Sequence, residues 1–177
     1  MGIWYAAIVV TWGLAQSAPP AKKVDLIDYL QAGYAGIKAD LISAAEAMPE
    51  TDYGFKPTSM AEVRTFGETI AHVASAQSSI CARLGGMPDD RSKVPATTKA
   101  EVLKVLAASF ASCDAAFASL TDISGGEFVR QGPVEIPKTA ALIGLLAHNA
   151  EMYGIVTVYL RAKNVVPPST ARQKGNR

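Results

Sequence analysis

"LLAHNAEMYGIVTVYLR", Leu145–Arg161, is the stretch on which the fold turns. It is apolar around most of its circumference, and a helix of that kind needs partners on several sides. His148, Asn149 and Glu151 interrupt the pattern. The apolar character begins upstream near Thr139 and runs to Asn164, and Pro167 and Pro168 then stop it. The pattern predicts one long buried helix over residues 139–164.

Three amphipathic segments precede it and could supply the partners. Residues 24–48 carry Leu26, Leu30, Ile37, Leu41 and Met48 near one face. Residues 59–84 carry Val63, Phe66, Ile70, Val73, Gln77, Cys81 and Leu84, with Ser59 as N-cap and Glu62 three residues on. Residues 98–120 carry Val102, Leu106, Phe110, Cys113, Phe117 and Leu120, with Thr98 as cap and Glu101 at N3. "EFVRQGPVEI", in the connection before the fourth helix, has room for a short extended strand. Four long helices in one chain of 177 residues imply an all-α fold, a four-helix bundle, mostly antiparallel, with the second and fourth helices adjacent.

The ends read differently. "MGIWYAAIVVTWGLAQSAPPAKK" opens with an apolar run too short to cross a bilayer, followed by small residues and a Pro-Pro pair. It reads as a signal peptide over residues 1–18, although no Lys or Arg precedes the run. The expectation is export to a periplasmic or extracellular space, with a cytoplasmic protein as the alternative. The bundle then spans residues 19–169, and residues 170–177 read as a basic, flexible tail. No stable membrane span is expected in the mature chain. Cys81 and Cys113 sit on different helices and permit one bridge, which suits export; two buried free thiols are the plainer alternative. Net charge is +1, from 17 basic and 16 acidic residues, so no nucleic-acid partner is expected.

Only two histidines are present, His72 in the second helix and His148 in the fourth. Glu68 stacks one turn before His72, and Met152 one turn after His148. If these faces meet, two imidazoles and a carboxylate could hold zinc, nickel or iron. From spacing alone, histidines satisfied by neighbouring polar groups are the commoner outcome. Gln77 and Asn149 are expected to make interhelical hydrogen bonds if buried.

Two blocks go beyond periodicity. "EAMPETDYGFKPTSMAEVRTFGETIAHVASAQ" and "LLAHNAEMYG", continuing into "VTVYLRAKNVVPPS", resemble the DinB-like superfamily, over roughly Asp25–Ser169. The resemblance implies a four-helix bundle with three histidines, one on the second helix and two spaced four apart on the fourth. Together they hold a divalent metal with one open coordination position. His72 matches the first histidine and His148 the second; the third position holds Met152, a weak ligand for zinc or nickel. Glu151 points about 100° away from Met152 around the helix and is no direct substitute.

The resemblance therefore implies a degenerate divalent-metal site on His72 and His148, assisted by Glu68, with weak or no catalysis in an exported domain. A metal-dependent hydrolase or a thiol S-transferase acting on a small molecule is the alternative. A small-molecule ligand and a homodimer are the partners it implies.

Overall fold

The computed structural model describes residues 21–85 and 98–175. The apolar N-terminal run expected as a signal peptide lies outside the described residues. Four long helices form the body: α1 (Leu26–Ala47), α2 (Phe66–Leu84), α3 (Lys99–Ala118) and α5 (Lys138–Ala162). Between α3 and α5 lie the one-turn helix α4 (Asp122–Gly125) and the strands β1 (Phe128–Gln131) and β2 (Val134–Pro137). α6 (Pro168–Gly175) follows, and the all-α bundle predicted above is the architecture observed.

The side chains that cross between helices fix their order and direction. α1 runs antiparallel to α3: Gln31 donates to the Phe117 carbonyl, and Lys99 at the other end donates to those of Glu46 and Met48. α2 runs antiparallel to α5, since Tyr159 donates to the Arg64 carbonyl just before α2 while Asn149 meets Gln77 further along. α2 runs parallel to α3, because Gln77 meets Ser109 and Cys81 meets Cys113. α1 also packs on α5 and is therefore parallel to it. The bundle thus alternates antiparallel and parallel neighbours, where mostly antiparallel packing was expected.

The second helix starts later than the Ser59–Glu62 pattern suggested. Thr65 caps α2 and Glu68 closes the capping box. The first amides of the helix are also claimed by a preceding loop: Phe66 N–H donates to the Phe55 carbonyl and Gly67 N–H to that of Tyr53, both at 2.9 Å. Gly67 lets the loop approach this closely, because a Cβ would sit 3.2 Å from the Tyr53 oxygen and 3.1 Å from its ring and the loop would have to give by a few tenths of an ångström. Residues 59–64 consequently form turns, and Val63 is only half-buried. Tyr53 packs edge-on against Phe66 and donates to the Ala45 carbonyl, which ties this loop to α1.

Phe66, Ile70, Leu106, Phe110, Leu142, Leu145 and Leu160 fill the core. Tyr34 stacks on Phe117 with centroids 3.9 Å apart. Its hydroxyl donates to Asp114, which Lys38 also grips, and burial together with that carboxylate raises the phenol's pKa. Leu26, expected on the core stripe of the first helix, is exposed at the start of α1, where Asp25 caps the helix. Cys81 and Cys113 are joined by a disulfide, with Cα atoms 5.2 Å apart.

"EFVRQGPVEI" forms a two-stranded hairpin rather than a single strand, turning at Gly132 with φ of +61°. Residues 170–175, expected as the start of a basic tail, instead form most of α6. Arg172 grips the buried carboxylate of Asp40 on α1 with both terminal nitrogens. Ser169 exchanges hydrogen bonds with the Tyr153 hydroxyl. Among the described residues α5 is long and apolar enough to cross a bilayer by length and composition, but one side of it lines this core.

Candidate metal centre

α2 and α5 bring the two histidines together. His72 Nε2 lies 3.2 Å from His148 Nε2, with the rings inclined at 62°. Both side chains are half-buried, so the pair has one face open to solvent. Helical periodicity explains the placement. His72 lies between the buried positions Thr69, Val73 and Ala74, and His148 beside Leu145, Asn149 and Met152. Each imidazole therefore stands at the edge of an apolar stripe.

A row of buried polar groups runs inward from His148. Its Nδ1 is 3.4 Å from Asn149 Oδ1. Asn149 Nδ2 donates to Gln77 Oε1 at 3.2 Å, Gln77 Nε2 donates to Ser109 Oγ at 3.1 Å, and the Ser109 hydroxyl donates to the Leu106 carbonyl at 2.7 Å. Asn149 and Gln77 have no exposed surface. With each amide oriented by its partner, the donors all run one way. His148 then carries its proton on Nδ1 and turns the lone pair of Nε2 toward His72. This is the tautomer that can bind a metal, with the second nitrogen oriented by an outer partner.

On the opposite side, burial is the main cause that lowers the His72 pKa, and the Arg64 cation and His148 push it the same way. A lowered pKa favours the neutral imidazole, the form that ligation requires.

The geometry fits two of the three positions that the resemblance implies. An ion about 2.0–2.1 Å from both Nε2 atoms would see them at about 100–105°, close to a tetrahedral angle. The remaining ligand is not supplied. Met152 is buried one turn beyond His148, and Glu151 faces solvent. Glu68, which could reach inward by spacing, is turned to the helix start. Its carboxylate accepts the Thr65 backbone N–H at 2.7 Å, the leading cause of its lowered pKa. No group of three or more His, Cys, Asp or Glu side chains arranged to hold a metal occurs among the described residues.

Two parts of this arrangement were less visible in the sequence. Ser109, which ends the polar row, shows only as a hydroxyl lodged between Leu106 and Phe110 on a core stripe. Asn149 was legible as a buried bonding partner but not as the group that sets the His148 tautomer; its adjacency to His148 was the available sign.

Comparison with known proteins bears on the whole bundle. The model of the DinB superfamily matches residues 36–154, about two-thirds of the chain. The fold is similar to the crystal structure of a DinB-like protein from Bacillus cereus ATCC 10987, with a TM-score of 0.66 and 15% identity, covering 78% of this chain and 93% of that one. A DinB-like protein from Bacillus subtilis is similar at a TM-score of 0.64 and 13% identity, covering 77% and 92%. No curated protein matches. The family match joins a bundle of the same shape to a sequence block that carries both histidines, and the chain belongs to the DinB superfamily.

Proposed function

We propose that the protein is an exported DinB-superfamily domain with a weak divalent-metal centre on His72 and His148, in which Met152 stands where a third ligand would complete the set, and with weak or no catalysis. The 3.2 Å approach of the two Nε2 atoms carries this reading. The polar row from Asn149 to Ser109 supports it, because it leaves the His148 lone pair on the correct nitrogen. Two imidazoles bind zinc, nickel or iron less tightly than three, and water or a small-molecule ligand would complete the shell. A bound metal would supply Lewis acidity and lower the pKa of a coordinated water or thiol. The protein's own contribution is to hold the two imidazoles together, half-buried, between α2 and α5. The Cys81–Cys113 bridge supports export, since disulfides persist in oxidising compartments.

Calorimetric titration with zinc tests the centre. The expected result is saturable binding of one ion per chain, lost in both His72→Ala and His148→Ala while their circular dichroism stays helical. Absence of binding by the parent protein, or binding that survives both substitutions, overturns the reading.

A further inference from the structure

At the other end of α2 lies a cavity of about 390 Å³. Its cause is visible in the sequence of α3. Ser112, Ala115, Ala116 and Ser119 are all small, and they face the place where α2 ends and α5 begins. Leu84, Leu120 and Leu142 wall the remaining space, and the Cys81 end of the disulfide closes one side. Along the helix axes the cavity is about 9–14 Å from the histidine pair, counting from Leu142 to His148 and from Cys81 to His72 at 1.5 Å per residue. It is therefore a separate site.

Its polar groups are few and of one kind. Among the described residues, Lys138 is the only charged one in the lining. Its ammonium is 2.5 Å from Glu127 Oε2, in a pair whose carboxylate is largely exposed and which is therefore easily exchanged. The hydroxyls of Ser112, Ser119 and Ser124 already donate to main-chain carbonyls and offer no strong donor to a guest. Among the described residues, no acidic side chain lines the cavity. The α5 N-cap, Pro137, makes no side-chain capping bond, and the positive end of that helix adds to the charge of Lys138.

We propose that this cavity binds a small, mainly apolar carboxylic acid, its chain among the leucines and its carboxylate on Lys138. A share of about 30 Å³ per water-sized group gives room for about a dozen heavy atoms. The size lies within the usual range of ligand pockets.

Octanoate, with about ten heavy atoms, is a fitting probe, and octan-1-ol is its uncharged counterpart. Calorimetric titration of the full chain should show octanoate binding with a Kd below about 1 mM. Lys138→Ala should weaken octanoate about tenfold while leaving octan-1-ol unchanged. Ala116→Trp, which fills most of the cavity, and Ser112→Trp, which covers its exposed rim, should each abolish both. His72→Ala should alter neither. No octanoate binding, binding that survives both the filling and the covering variant, or equal affinity for acid and alcohol in the parent protein would overturn the proposal.

Discussion

Gln77 and Cys81 are one turn apart on α2, yet they join the bundle by different means. At Gln77 and His72 the helix meets α3 and α5 through a chain of hydrogen bonds, each group depending on the next. At Cys81 it meets α3 through a covalent bond beside a cavity. The covalent contact tolerates empty space because the bridge acts mainly by limiting the unfolded chain. The polar row tolerates none, because a buried amide without its partner costs the full price of desolvation. The proposed metal centre lies in the demanding half, where the row that crosses the core also reaches Nδ1 of His148.

Substitutions in the two regions should therefore fail differently, and the largest loss is expected at the bridge. The disulfide spans a sequence separation of 32. Closing a loop of that length contributes about 3–4 kcal/mol in the chain-entropy account, so Cys81→Ala with Cys113→Ala should lower Tm by about 7–14 °C. Zinc affinity should not change. A variant that melts with the parent, or loses zinc binding while still folded, would erase the distinction between the two halves.

The polar row should show coupling instead. Asn149→Leu leaves the buried Gln77 oxygen without its donor and should cost about 2–3 kcal/mol in urea denaturation. Adding Gln77→Leu should recover part of that loss, because both partners are then apolar. Strictly additive losses would mean that the two amides do not act as a unit. Asn149→Leu should also weaken zinc binding, since the His148 tautomer is no longer held.

Smaller effects separate Glu68 and His72. Glu68→Ala removes half of the capping box and should cost about 0.5–1 kcal/mol, with zinc affinity unchanged. A loss of zinc affinity would place its carboxylate at the metal instead. His72 has a folded pKa below its ordinary 6.5. The unfolded chain therefore takes up the proton first as pH falls through 6.5, and the contribution of His72 to stability is lost from there down to its folded pKa. Relative to His72→Ala, the metal-free protein should lose stability over that window and hold a constant difference above pH 7.5. A flat difference through the acid range would show that His72 titrates as it does in the unfolded chain.

The long helices were legible because their apolar stripes are tertiary contacts written locally: Leu106, Phe110, Cys113 and Phe117 lie on the buried face of α3 as spacing demands. The start of α2 departs from the Ser59–Glu62 pattern for a definite reason. Ser59–Glu62 and Thr65–Glu68 carry the same capping pattern, and what selects the second is a pair of carbonyls, of Tyr53 and Phe55, that only the folded loop presents. The assignment of Glu68 failed with it, since the residue that spacing offered to the metal is the one the true helix start uses. The tail was opaque because the partner of Arg172, Asp40, is 132 residues away. The histidines could be placed on their helix faces from sequence; that those faces meet depends on how α2 and α5 pack.

On the proposed function, α5 carries a three-ligand site short by one residue at Met152. Zinc titration of the parent, of Met152→His and of Met152→His combined with His72→Ala tests it most directly. Met152→His should tighten binding at least tenfold, about 1.4 kcal/mol, and the combined variant should lose that gain. No gain from Met152→His, or a gain that survives removal of His72, would contradict the account and leave the two imidazoles as a hydrogen-bonded pair within the core.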